Sequence, residues 1–433
     1  MAGNVKGKSS FLGGAARAVK EEDKVIKVTG KQTEAKVFSN YPQQSAIEQI
    51  EELCNQAFLK DAKIRIMPDY HAGKGCVIGT TIQLKDKVVP NLVGIDVGCG
   101  VLTVKLEDKK INFDKLDKVI RKYVPSGQEL HLDETVNFIN ISFPSVNMYK
   151  ASHILTEERN RMSLGTLGGG NHFIEVSVDS VGYHYLTIHT GSRYVGAKIA
   201  QYYQKLAVSN IRKRDVTSLV EQLKNEGRQS EIQSAIENYH KEYSIIPDDL
   251  AYLEGGNFND YIHDMKYAQQ YAKANREEIA RAIIENMEFT ELDCFDTVHN
   301  YIDTEHMILR KGAVSAQKGE RLIIPINMRD GSILAVGKGN EEWNCSAPHG
   351  AGRVLSRTKA MKTLNLDDFK ETMKDIWTTS VSGETLDEAP MAYKTKEEIL
   401  EQVEETVEII DFIKPVYNFK ANEKFIPYRR RKK

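Results

Sequence analysis

No stretch of about 18 uninterrupted apolar residues occurs in the 433-residue chain, which excludes a simple transmembrane helix and with it a membrane partner. The opening Met1-Ala2-Gly3-Asn4-Val5-Lys6 has no apolar signal-peptide core, so export is not expected and a cytoplasmic location is. Cysteines are few: Cys54, Cys76, Cys99, Cys294 and Cys345. An odd, sparse set is not a disulfide framework and suits a reducing compartment. No Cys-x-x-Cys pair is present, so a zinc ribbon is unsupported. No Gly-x-x-x-x-Gly-Lys-Ser/Thr occurs either, and Gly73-Lys74-Gly75 is too short to be a P-loop. A nucleophile elbow of the hydrolase kind is also missing. Neither sign of charge dominates: 59 Lys and Arg stand against 61 Asp and Glu, a formal charge of −2. A nucleic-acid partner therefore needs a local basic patch. The run Arg429-Arg430-Arg431-Lys432-Lys433 is one, and reads as a solvated tail. Internal repeats, heptads and a dividing linker are all lacking.

Apolar residues make up 41% of the chain, enough for a substantial core. Ile47, Ile50, Leu53, Cys54 and Ala57 have helical spacing within 46–58. Ile64-Arg65-Ile66-Met67-Pro68 reads as a strand ending at its proline, followed by a polar glycine loop over 69–75. Residues 76–82, 92–95, 101–104, 173–178 and 185–188 read as further strands. The highly charged 196–245 stretch predicts two or three solvated helices, and 257–287 continues helically through Tyr261, Met265, Ala268 and Ala272. Ile399, Val403, Val407 and Ile410 form a helical stripe that stops before Pro415. The expectation is a mixed α/β (α+β) fold. It comprises a partly ordered segment 1–35, one large catalytic domain 36–421 with central β-sheets and a helical excursion at 196–290, and a basic tail 422–433.

Several short clusters carry possible chemistry. In His349-Gly350-Ala351-Gly352-Arg353, a histidine adjoins a backbone that can approach a phosphate closely, with an arginine able to bind it in two-pronged fashion. Asp96-Val97-Gly98-Cys99-Gly100 places a carboxylate and a thiol three apart in a tight loop. Carboxylate, thiolate and imidazole suit a divalent transition metal, though a glycine turn with a buried structural cysteine has the same spelling. Asn171-His172-Phe173-Ile174-Glu175 follows Gly168-Gly169-Gly170, and alternation puts His172 and Ile174 on one face, Phe173 and Glu175 on the other. His189-Thr190-Gly191-Ser192-Arg193 and His299-Asn300 again set histidines at strand ends. Each histidine alone is equally well a structural residue; four polar clusters at strand ends or glycine loops point to one shared site.

Together these clusters resemble the RtcB family of RNA-splicing ligases. The matching stretches run in family order from about residue 65 to residue 420: Met67–Gly75, Val93–Gly100, Gly165–Glu175, His189–Arg193, His299-Asn300-Tyr301, Arg310–Ala316, Gly339–Glu342, His349–Arg357 and Asp387–Lys394. The resemblance implies a GTP- and manganese-dependent ligase that joins an RNA 3′-phosphate or 2′,3′-cyclic phosphate to a 5′-hydroxyl. It implies His349 as the histidine that becomes guanylylated and Asp69 as its orienting carboxylate. It implies two manganese ions on Asp96, Cys99, His172, His189 and His299. The guanylate pocket would comprise Asn171, Phe173, Glu175, His299, Asn300, Pro325, Asn327, Met328, Ser332, Gly350, Ala351, Gly352, Arg353 and Lys420. RNA with those ends, in splicing or repair, is the implied substrate, and an archease-like activator the possible helper. Two departures stand out. Ile323-Ile324-Pro325 is followed by Ile326-Asn327-Met328 where the family has Gly-Ser-Met, and Lys420-Ala421 replaces a terminal Lys-Gly pair. A metal-dependent phosphodiesterase or nucleotidyltransferase without ligation, and a catalytically silent RNA-binding protein, are the competing readings.

Overall fold

The computed structural model describes residues 25–132, 141–212, 216–244 and 246–421; the expected basic tail and most of the expected N-terminal segment lie outside them. The strands are β1 (Ile26–Thr29), β2 (Glu34–Val37), β3 (Ile64–His71), β4 (Ile78–Gln83), β5 (Lys87–Val88), β6 (Gly100–Leu106), β7 (Phe173–Val178), β8 (His184–Thr190), β9 (Leu253–Glu254), β10 (Glu291–Val298), β11 (Asn300–Asp303), β12 (Ile308–Lys311), β13 (Ala313–Ser315), β14 (Arg321–Asn327), β15 (Gly331–Gly337), β16 (Ser346–Pro348) and β17 (Val407–Phe419). A first sheet has the order β1-β2-β3-β4-β12-β11, a second β10-β6-β8-β7-β17-β15-β14. All pairings are antiparallel except β2 with β3. The fold is mixed α/β, as expected.

Helix 255–287 connects the two halves. Its N-terminal part buries Tyr261, Met265, Ala268 and Tyr271 in the core under the first sheet. Its C-terminal part buries Ile279, Ala280, Ile283 and Met287 in the core of the second. Ile279 and Ile283 are fully buried, each worth about 1.5–3 kcal/mol of hydrophobic stabilisation. His299 lies between β10 of the second sheet and β11 of the first. The chain therefore changes sheets at a residue already singled out by its sequence.

Some local readings are corrected. β3 does not end at Pro68 but continues through Asp69 to His71. Its register with β4 shifts between Ile66 and His71, so Pro68 sits where no ladder donor is required. Residues 92–95 are not a strand; a 3₁₀ turn spans Pro90–Leu92 instead. The 399–410 stripe is divided: a helix covers Lys396–Val403, closed at its start by a Thr395–Glu398 capping box, and Val407 begins β17. β17 passes through Pro415 because its register with β7 shifts there. The charged stretch forms helices Arg193–Arg212, Thr217–Asn225 and Ile232–Ser244.

Candidate functional site

The sheet change creates a cavity of about 300 Å³ between strand ends. Asp69, at the shifted part of β3, is fully buried beneath it. His349 follows β16, and its Nδ1 lies 2.6 Å from Asp69 Oδ2, which also accepts the His349 backbone N–H at 3.2 Å. The ring approach is short but poorly directed, leaving Nδ1 and Asp69 Oδ1 without an aligned hydrogen bond. Gly352 makes the approach possible: its φ is +74°, and a Cβ there would sit 2.0 Å from the Asp69 carbonyl oxygen. The neighbouring chain is tied down by Lys394, whose buried ammonium donates to the carbonyls of Pro68 (2.7 Å) and Tyr70 (3.2 Å), on either side of Asp69.

Five residues from distant loops converge beside His349. Ligand atoms of Cys99, His189 and His299 lie within 4.8 Å of one another, as do those of Asp96, Cys99 and His172. Cys99 Sγ is the shared corner, 3.3 Å from His189 Nε2 and 3.5 Å from His172 Nε2. His189 Nε2 is 3.3 Å from His299 Nε2, and His172 Nε2 is 2.8 Å from Asp96 Oδ2. The far ring nitrogens explain how these atoms tolerate one another. His172 Nδ1 faces the Leu167 carbonyl at 2.9 Å, closer than Arg193 Nη1 at 3.4 Å, and His189 Nδ1 faces the Asn171 carbonyl at 3.1 Å. A carbonyl only accepts, so each Nδ1 carries a proton and Nε2 is the ring nitrogen turned inward to the donor set. Burial, reinforced by neighbouring imidazoles, holds His189 and His299 well below the usual imidazole range, hence neutral. Burial, then the Asp96 charge, pushes the Cys99 thiol well up; a divalent ion reverses that preference, since it binds the thiolate. Converging N, S and O donors of this kind fit a divalent transition metal.

The cavity wall gathers every residue expected in the guanylate pocket: Asn171, Phe173, Glu175, His299, Asn300, Pro325, Asn327, Met328, Ser332, Gly350, Ala351, Gly352, Arg353 and Lys420. Glu175 on β7 is buried opposite Asn418 on β17 and accepts from Ser177 Oγ and Asn418 Nδ2, both at 2.8 Å. Burial outweighs these donors and raises its carboxyl to about 7. Lys420 Nζ lies 3.0 Å from Glu388 and 5.5 Å from the centre of the Phe173 ring. Two expected contacts are engaged elsewhere. Arg353 donates to Glu388 (3.3 Å), the Tyr393 hydroxyl (3.1 Å) and the Leu355 and Asp387 carbonyls. Asn327 builds the β14–β15 turn, accepting from Arg329 N and Asp330 N and donating to Asp330 Oδ2 at 2.8 Å.

His71, Arg357, Glu388, Tyr393 and Asn418 also line the cavity, although their sequence carried no assigned role. Burial lowers His71 to about 4, so its imidazole is neutral. Glu388 is held down to about 2: burial opposes ionisation, but Lys420, Arg357, Tyr393 and Arg353 outweigh it. Asn418 lies two residues before Lys420, near the end of β17, a strand that the sequence reading did not anticipate. Glu388 and Tyr393 had only their place within a matching stretch to mark them.

A buried carboxylate–histidine pair thus stands beside a set of side chains that could hold a metal ion. The family described as tRNA-splicing ligase RtcB matches residues 49–421, and the chain belongs to that family. It is 31% identical to the RNA-splicing ligase RtcB of Escherichia coli (strain K12), covering 82% of this chain and 88% of that protein. It is 27% identical to the tRNA-splicing ligase RtcB of Archaeoglobus fulgidus, over 83% of this chain and 87% of that protein.

Proposed function

We propose that the protein is a GTP-dependent RNA ligase that joins an RNA 3′-phosphate or 2′,3′-cyclic phosphate to a 5′-hydroxyl through a guanylylated His349. The observation carrying this reading is the 2.6 Å approach of His349 Nδ1 to fully buried Asp69, on a cavity wall that also holds His299, ring centre 5.0 Å from that of His349. A carboxylate on Nδ1 selects the tautomer whose Nε2 lone pair is free to attack. Hydrogen bonds of this kind commonly align only once substrate is seated.

In the first step His349 Nε2 attacks the α-phosphorus of GTP; the N–P bond forms and the P–O bond to pyrophosphate breaks. The ring becomes cationic and Asp69 offsets its charge. A 2′,3′-cyclic phosphate is first opened by water, which breaks the P–O2′ bond and leaves a 2′-hydroxyl and a 3′-phosphate; the GMP then passes to the RNA 3′-phosphate as the N–P bond breaks and a P–O–P linkage forms. The 5′-hydroxyl finally attacks the RNA phosphorus, loses its proton, and releases GMP. Two manganese ions on Asp96, Cys99 and His172, and on Cys99, His189 and His299, would supply charge neutralisation and Lewis acidity. Glu175, Phe173, Asn171 and Lys420 are the residues we assign to the guanylate. A cytoplasmic setting, a splicing or repair role and help from an archease-like activator belong to the same proposal. A silent RNA-binding protein has no use for a histidine held by a buried carboxylate; a phosphodiesterase could use one, and the joined RNA product sought below separates it from a ligase.

The test is incubation with radiolabelled GTP and manganese. Acid-labile label on the protein, lost in His349→Ala, together with joined product from 3′-phosphate and 5′-hydroxyl RNA ends, is expected. Protein that stays unlabelled, or label undiminished in His349→Ala, would overturn the reading.

A further inference from the structure

At the centre of helix 255–287, where it passes from one core to the other, two polar residues are wholly buried: Asn275 and Arg276, both at 0% exposure. A buried arginine requires strong compensation. Arg276 Nε and Nη2 meet Asp296 Oδ1 and Oδ2 at 2.7 and 2.6 Å, a two-pronged pair. The remaining nitrogen, Nη1, donates to two backbone carbonyls, Gly98 O at 2.8 Å and Thr190 O at 2.9 Å.

The positions of those partners are the point. Gly98 precedes Cys99, Thr190 follows His189, and Asp296 lies three residues before His299. One guanidinium thus engages the three segments that deliver the Cys99–His189–His299 donor triplet. Asn275 ties the stretch that leads into His172 to the stretch that follows His189. Its Nδ2 reaches Thr166 O (3.1 Å), Gly191 O (3.1 Å) and Thr190 Oγ1 (3.4 Å), and its Oδ1 accepts Thr166 N at 3.1 Å. Thr190 Oγ1 in turn donates to Leu167 O at 2.7 Å, the same carbonyl that receives His172 Nδ1 at 2.9 Å. The helix itself fits closely: a Cβ on Gly98 would meet Gln269 Cα and Ala272 Cβ at 3.0 Å.

We infer that Asn275 and Arg276 form a brace, outside the donor set, that holds the loops of Cys99, His189, His299 and His172 in register for divalent-metal binding. Neither residue touches the cavity or a ligand atom, so they are positioning residues. The physical need is specific. The donors come from three or more chain segments far apart in sequence, so their loops must be held together from behind for the ligand atoms to meet at one point. The inference rests on the metal-dependent reading above, and deepens it by adding the groups that set the affinity.

The test measures manganese binding by electron paramagnetic resonance of the free ion, without substrate or turnover. Arg276→Lys, which cannot reach all four acceptors, and the double variant Arg276→Met/Asp296→Leu, which removes the buried pair together, are compared with wild type. Replacing both partners of a buried pair by apolar groups commonly preserves folding. The expected loss of affinity is about 10–100-fold, the usual size for groups that orient metal ligands. Tyr271→Phe controls for general damage: it removes a buried hydrogen bond from the same helix, to Asn160 O, away from the metal loops. This variant should lose melting temperature while keeping wild-type manganese affinity. Unchanged affinity in both Arg276 variants overturns the brace alone. Affinity lost equally in Tyr271→Phe overturns it as well, by showing a general effect of destabilisation. Absence of manganese binding to wild type overturns both the brace and the metal-dependent reading.

Discussion

Asp69 Oδ2 lies 2.6 Å from His349 Nδ1 and also accepts the backbone N–H of His349, so one buried carboxylate positions both the ring and the main chain of the proposed nucleophile. Asp69→Asn keeps the shape but cannot select the same tautomer. Its rate of protein guanylylation should fall by about 100-fold or more, with little change in the KM for GTP. Single-turnover labelling measures both. An equal loss in KM and none in rate would show that Asp69 serves binding instead.

Cys99 is the corner common to both donor triplets. Cys99→Ala should therefore abolish the binding of both manganese ions, whereas His172→Ala and His299→Ala should each leave one. Metal stoichiometry after equilibrium dialysis distinguishes the three. A Cys99→Ala protein that retains two ions would separate the thiol from the metal centre.

The Glu175 carboxyl has a folded value raised by burial from 4.5 to about 7. The folded protein therefore retains this proton where the unfolded chain has lost it. Its contribution to stability is fully present below pH 4.5 and declines as pH rises through about 7. Glu175→Gln should flatten that part of the melting-temperature profile. On the proposed reading only the ionised carboxylate accepts both guanine N–H groups, so the KM for GTP should fall as pH rises through this range, and not in Glu175→Gln.

Gly352 combines a φ of +74° with a Cβ position 2.0 Å from the Asp69 carbonyl oxygen. Gly352→Ala should lower stability by more than about 1 kcal/mol and displace His349 from Asp69. Chemical unfolding and guanylylation should be impaired together. A variant with native stability and full labelling would mean that the loop relaxes without cost.

The amino-acid sequence by itself determined the residue types of the centre and much of its secondary structure. β7 begins and ends at the expected Phe173 and Val178, because alternation over a buried strand is a local property. The roles expected for His349, Asp69, Asp96, Cys99, His172, His189 and His299 came from ordered motifs that resemble the RtcB family; the structure brings these side chains together. Pro68 and Pro415 misled, since a proline is tolerated in a strand where the register shifts, and register depends on the partner strand. Asn327 was expected at the guanylate, yet its side chain is engaged in its own hairpin. Only the tertiary structure decided that Cys99 is shared between two triplets, that His299 marks the change of sheet, and that Arg276 lies behind three separate loops. These are relations between segments up to about 200 residues apart, held by burial and hydrogen bonding across two cores. No periodicity or spacing encodes them.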